Sequence, residues 1–334
     1  MQRVLRITLG SLSVAGLMMV GLMIHTRGWE NFKLRSFASA QVLRNQVQNA
    51  VAEPKQSTGA ARVELDTLLS GGVPKDGIPS IDAPEFDTAE TTPFKGDELV
   101  IGVMINGEAK AYPYGILNWH EIVNDTVGGV NVAVSYCPLC DTIVAFTRGD
   151  TTYGVSGLLF QSCLVMYDRA DDSLYAQPWG LGVLGPQTNQ DLERLPAVKT
   201  TLDSWLAEHP DSKILATRTG HQRDYLSYPY GTYYTDEAII FPVRNQDQLT
   251  LHPKAIVSYV WETNTETPMN EFAGASHQFV HDELRQTGTQ IVEFAGRDIR
   301  ARWDEALETV IVEEMDGTVI PSSTAFSFVY PAFY

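Results

Sequence analysis

From Leu99 onward the chain alternates short β-branched runs with glycine-rich breaks. Leu99-Val-Ile-Gly-Val-Met-Ile105 is apolar and ends at Asn106-Gly107, a tight-turn signal, so Glu108 to Tyr112 is predicted to return as the second strand of a hairpin. Ile116 to Val123 reads as one or two helical turns, Val130 to Tyr136 and Thr142 to Thr147 as strands, and Leu202 to Glu208 as a helix. Short strands separated by turns continue to about Tyr167. This mixture predicts an α+β, β-rich fold. Upstream, Gly71 to Pro93 is dense in Gly, Pro and Asp and predicts an extended arm lying over the domain. Gln41 to Arg62 has no strong apolar face and reads as a helical or loose stalk.

A shift of 157 residues superposes 99–146 on 256–303 with Ile/Val alternation in step. Val100 meets Val257, His120 meets His277, Asp125 meets Asp282 and Asp141 meets Asp298. Self-similarity at a constant offset is the mark of a repeated unit. The expectation is a pseudo-symmetric internal duplication: one unit at about 95–215 that carries the cysteines, and one at about 235–334 that lacks them. In this register Cys137 faces Phe294 and Cys140 faces Arg297, so any thiol chemistry belongs to the first unit. The expected organisation is a membrane segment over 1–35, a stalk or linker over 36–70 and a single domain over 71–334.

The amino terminus has a different character. Arg3 and Arg6 precede an uncharged run from Ile7 to Ile24, just long enough to cross a bilayer. This predicts an N-terminal transmembrane helix that acts as a signal anchor, with the bulk of the chain extracytoplasmic, either periplasmic or at the cell surface. A cleaved signal peptide is the alternative, but Ala38-Ser39-Ala40 lies far beyond the apolar run for a cleavage site. The full chain of 334 residues has net charge −17. Residues 1–35 hold five basic residues and one acidic, leaving 19 basic against 40 acidic beyond them, a net −21. So negative a surface repels phosphate backbones and argues against nucleic acid as a partner. The membrane is the one partner the sequence predicts.

All three cysteines lie between 137 and 163. Cys137-Pro-Leu-Cys140 is a CxxC, and Cys163 follows in Ser162-Cys163-Leu164. Thiolates are soft ligands for zinc, copper or iron–sulfur clusters, and three of them need one more donor for tetrahedral zinc. His120 is the first candidate for that donor, with His252 and Asp168 behind it. On this reading the three sulfurs converge and hold a zinc or copper ion. A dithiol–disulfide couple is the rival, since exported compartments are often oxidising. Two features oppose it: the residues after Cys140 read as a strand and not as a helix N-terminus, and Asp141 disfavours a neighbouring thiolate. A plain structural disulfide with one leftover thiol is the inert alternative. His120 has an inert alternative as well, a histidine hydrogen-bonded inside its unit. Asp168-Arg169 reads as a structural ion pair. HExxH, GxSxG, Walker and GxGxxG patterns are absent.

Several segments together resemble a prokaryotic family of unknown function, DUF3179. They are GGVPKDGIPSID, INGEAKAYPYGILNWHEIVNDTVGG, SYCPLCDT, GVSGLLFQSCLVMYDR, LHPKAIV and SFVYPAFY, spanning about residue 71 to the C-terminus. The resemblance implies an exported or lipid-anchored protein and supplies neither activity nor cofactor. It marks His120, Cys137, Cys140, Ser156, Gly157 and Asp168 as motif positions. Asp141 stands where the pattern leads one to expect a glycine. Three classes follow: a metal-binding protein, an extracytoplasmic thiol oxidoreductase, or a non-catalytic surface or assembly protein.

Overall fold

The computed structural model describes residues 61–263 and 274–334. The predicted membrane segment and most of the stalk lie outside these residues. No helix among the described residues is long and apolar enough to cross a membrane. The described chain is mostly β, with four sheets and a few short helices. The α+β, β-rich class is therefore observed.

The Asn106-Gly107 turn joins Leu99–Ile105 to Glu108–Pro113 as an antiparallel hairpin. Both turn residues have positive φ, at 48° and 81°, which a type I′ turn requires. The strands Val130–Cys137 and Thr142–Thr147 form the next hairpin, and Leu202–Glu208 is a helix. One expectation is corrected. Helix spans Tyr114–His120, not Ile116 to Val123, and strand resumes at Ile122. Glu121 ends the helix with φ 58°, so the β-branched pair after it begins a strand against Ser135 and Val134.

The arm lies over the domain, with only the two-residue strand Phe86–Asp87 inside it. Asp76, Ser80 and Asp82 of the arm all bind Arg169, and Asp82 does so with both oxygens at 2.7 Å. Gly157, with φ +77°, passes beneath the arm, and a Cβ there would come within 2.3 Å of the Val73 carbonyl. Ahead of the arm, the strand Leu68–Ser70 pairs with Tyr153–Phe160.

Two sheets meet at the cysteines. One runs Leu68–Ser70, Tyr153–Phe160, Cys163–Asp168, Leu174–Ala176, Leu181–Leu184. The other contains Ile122–Val127, Val130–Cys137, Thr142–Thr147, Ser323–Phe326, Ile256–Trp261 and Ser276–Val280 as successive neighbours. Asn124 ties the two together: its side chain donates to the Tyr153 carbonyl and accepts the Tyr153 N–H, both at 2.9 Å. The space between is filled by Phe146, Phe160, Tyr175, Trp179, Tyr259 and Phe326, all buried.

Hairpin, helix and three-strand meander occur twice in order. The first set is Leu99–Ile105, Glu108–Pro113, Tyr114–His120, Ile122–Val127, Val130–Cys137, Thr142–Thr147, and the second is Ile256–Trp261, Ser276–Val280, His281–Thr287, Thr289–Phe294, Arg297–Asp304, Thr309–Glu314. The constant 157-residue register does not hold throughout. It matches the first strands, but from the helix onward the elements stand 167 residues apart, because the second hairpin is longer. His120 therefore corresponds in position to Thr287 and not to His277, and Cys137 to Asp304.

Candidate thiol site

Cys137 is the last residue of its strand, and Pro138-Leu139 carries the chain through a turn to Cys140. The turn closes with the Cys140 N–H on the Cys137 carbonyl at 3.3 Å. The third thiol arrives on a separate hairpin. Phe160 and Cys163 pair across a two-residue turn, Gln161-Ser162, with φ values of 51° and 61°. Non-glycine residues rarely adopt that conformation, and strain of this kind gathers at functional sites.

All three cysteines are unbridged and essentially inaccessible to solvent. Their thiols interact with one another. Burial pushes every thiol pKa up, and at Cys140 and Cys163 burial prevails. At Cys137 it is outweighed. Hydrogen bonds from the Cys140 and Cys163 thiols and from the backbone N–H groups of Cys140 and Leu164 hold its pKa below the ordinary thiol value. The Leu164 N–H lies 3.3 Å from the sulfur. Cys140 is within 3.1 Å of the Thr142 hydroxyl. Hydrogen-bond donors thus converge on the Cys137 sulfur.

The structure brings Cys137, Cys140 and Cys163 together and leaves His120 in another network. His120 Nδ1 donates to the Pro79 carbonyl at 2.7 Å, so in the neutral ring Nε2 accepts from the Tyr225 hydroxyl, also 2.7 Å away. Burial, together with His221 and Arg223 nearby, lowers its pKa to about 4. Both nitrogens of His120 are thus engaged away from the thiols, as its inert alternative expects. The reserve candidates are also elsewhere. His252 is half-exposed beside Glu237, and Asp168 accepts from Thr151 Oγ1 and the Ala170 N–H. Asp168 and Arg169 are not paired with each other; Arg169 pairs with Asp76 and Asp82. Among the described residues, no group of three or more His, Cys, Asp or Glu side chains could hold a metal ion as placed. Ser156 is structural, its hydroxyl donating to the Val165 carbonyl across the hairpin.

Two acidic neighbours of the thiols were not among the predicted site residues, although Asp141 was noted as a departure from the expected glycine. Glu121 is buried, and burial raises its carboxyl pKa well above the usual range, with the charge of Cys137 adding to the effect. Asp141 is fully buried in left-handed backbone, φ 53°, the conformation that a glycine would ease. Its carboxylate binds Lys199 and accepts from the Tyr136 and Tyr234 hydroxyls at 3.2 and 3.3 Å. WHE and CPLCD were in plain view as motifs, but nothing in a strand pattern says that their acids point inward.

A tyrosine-rich segment without strands, within 217–253, covers the site. The Tyr233 hydroxyl donates to the Leu139 carbonyl at 2.6 Å, and Tyr230 packs near both Glu121 and Cys137. Lys254 holds the segment through the Tyr233 carbonyl and Asp236.

No curated protein and no solved structure matches the chain. A family model does, over residues 75–320, from the arm through both strand sets. The chain belongs to that family, described as a protein family of unknown function, DUF3179.

Proposed function

We propose that this is an exported, membrane-anchored protein whose Cys137 and Cys140 cycle between dithiol and disulfide. The observation that carries the reading is the Leu164 N–H aimed at the Cys137 sulfur, with two thiols beside it. Nucleophilicity resides in the thiolate, so this environment assigns the attacking role to Cys137 and the resolving role to Cys140. Cys137 attacks one sulfur of a small disulfide, forming a mixed disulfide and releasing the first thiol. Cys140 then attacks the Cys137 sulfur and releases the second. Two electrons pass to the acceptor, and the two protein thiol protons leave on its thiols. The helix N-terminus common at such sites is replaced here by thiol and backbone donors. Export rests on Arg3, Arg6 and the Ile7 to Ile24 run.

The test is equilibration of the reduced protein with thiol–disulfide buffers from roughly −300 to −150 mV, then alkylation and mass mapping. Two thiols should become protected together as a Cys137–Cys140 bridge. All three remaining alkylatable across the range would sink the reading, and unchanged cellular function after serine replacement of all three would leave only a surface or assembly role.

The number of thiols favours a second reading, a soft metal ion such as copper or zinc held by all three sulfurs. His120 is committed to Pro79 and Tyr225, so the shell would be three thiolates, and the thiols would have to part to admit the ion. Elemental analysis of the purified protein separates the two readings. We also infer that the two strand sets are duplicated units. Supporting this, Gly128-Gly129 and Ala295-Gly296 make matching turns, with φ near 55° and 81° against 50° and 78°, and Asp141 and Glu308 share φ of 53° and 50°.

A further inference from the structure

We propose that the strand Thr289–Phe294 is the contact through which two copies of this chain pair, edge to edge and antiparallel about a two-fold axis. It is an outer strand of a three-stranded sheet, hydrogen-bonded to Arg297–Asp304 on one side. Nothing among the described residues pairs with its other side. The proposal stands apart from the thiol reading and uses none of its residues.

The ladder register shows which backbone groups are free. The Trp303 N–H donates to the Gly288 carbonyl at 2.9 Å, in step with Thr289 opposite Arg302. Hydrogen-bonded pairs alternate along an antiparallel ladder. Gln290, Val292 and Phe294 therefore bond inward, while Thr289, Ile291 and Glu293 turn their N–H and C=O groups outward. The corresponding strand of the first set is Ile122–Val127, 167 residues earlier. There the outward groups are taken: the Ile81 N–H of the arm donates to the Ile122 carbonyl at 2.9 Å, and the Ile81 carbonyl accepts the Asn124 N–H at 2.8 Å. The counterparts of those two groups are the Thr289 carbonyl and the Ile291 N–H, and neither has a partner among the described residues. The fold thus uses this edge once to hold an extended segment and leaves the equivalent edge open.

Three features fit a second copy of the same strand as the occupant. The first is self-complementarity. A two-fold axis through Ile291, perpendicular to the sheet, sets Ile291 opposite itself and Thr289 opposite Glu293. All of these carry outward backbone groups, so each pair exchanges two hydrogen bonds, and no like charges are opposed. The second is charge. The hairpin of Thr289–Phe294 and Arg297–Asp304 sets Glu293, Asp298 and Asp304 against Arg297, Arg300 and Arg302, a neutral patch on a chain of net charge −17. Two acidic copies meet there with the least repulsion. The third is the lack of a guard. The strand has no proline, lysine or bulge, and Ile291 at its middle is 53% exposed. Edges that stay unpaired usually carry one of those devices.

The test is the mass of the full chain in detergent, by light scattering against protein concentration. Wild type should be a dimer. Ile291→Pro should weaken the dimer about 10- to 100-fold and melt close to wild type, since the lost N–H is one that the single chain does not use. Position is read by introduced cysteines under mild oxidation. The native thiols are buried, so wild type should give no covalent dimer. Ile291→Cys should be trapped as one, because directly opposed residues lie about 5.5 Å apart at Cα, within disulfide reach. Thr289→Cys and Glu293→Cys should cross-link when mixed, and neither should link to itself. A monomeric wild type overturns the proposal, even if the edge binds a peptide of another protein. So does a dimer that Ile291→Pro leaves intact. Should Ile291→Pro fail to fold, the cysteines decide, and cross-linking that ignores these pairs overturns the proposal.

Discussion

Lys199 closes on Asp141, the residue directly after the CxxC, and both are buried. The Lys199 ammonium also donates to the Tyr234 hydroxyl at 2.6 Å, so one contact joins the thiol turn, the Val198–Thr201 strand and the covering segment. Burial raises the Asp141 pKa and Lys199 opposes it, while Asp141 raises that of Lys199 above its usual value.

Removing one partner of this pair leaves a buried charge unmatched. Lys199→Met should destabilise the protein by about 3–5 kcal/mol. Adding Asp141→Asn should recover part of that loss, as read by urea denaturation. Equal stability for the single and double variants would show that the pair is not coupled.

Acid should weaken the fold through two histidines. Burial lowers the His120 pKa to about 4 and, with Lys199 nearby, that of His281 to about 3. The unfolded chain binds protons on both near pH 6.5 and the folded chain does not, so stability is full above that pH and lost as pH falls towards 4. Each should cost on the order of 1–3 kcal/mol between pH 6.5 and 4. His120→Gln should flatten part of the slope of melting temperature against pH; an unchanged slope would remove His120 from this account.

Ser162 sits at φ 61° with its hydroxyl buried and without a hydrogen-bond partner. Ser162→Gly removes both penalties and should stabilise by about 1 kcal/mol. A lower melting temperature would mean that the serine makes a contact in solution that this geometry lacks.

The covering segment is pinned where the Tyr233 hydroxyl meets the Leu139 carbonyl. Tyr233→Phe should cost about 1 kcal/mol in stability. It should also speed alkylation of Cys140 and Cys137 by loosening the cover, and rates equal to wild type would show that access is by another route.

Much of the first strand set was legible in the sequence because its signals are local. Asn106-Gly107 and Gly128-Gly129 punctuate β-branched runs, and reading both needs no knowledge of the rest of the chain. Leu202–Glu208 was equally readable, with Thr201 accepting the Ser204 N–H as its cap. The clustering of three cysteines within 27 residues pointed to one site for the same reason. What no local signal encodes is which side chains meet. His120 precedes Glu121 by one residue, yet the left-handed turn between helix and strand sends the histidine to Pro79 and Tyr225 and leaves the glutamate beside Cys137. The offset between the strand sets changes inside a hairpin, so element order sets His120 against Thr287 where a constant register sets it against His277. Tyr233 and Tyr234 close over the site from more than 90 residues away, and Lys199 arrives from another sheet. Those contacts follow from packing two sheets and a long covering segment around one buried cluster, and tertiary structure alone decides them.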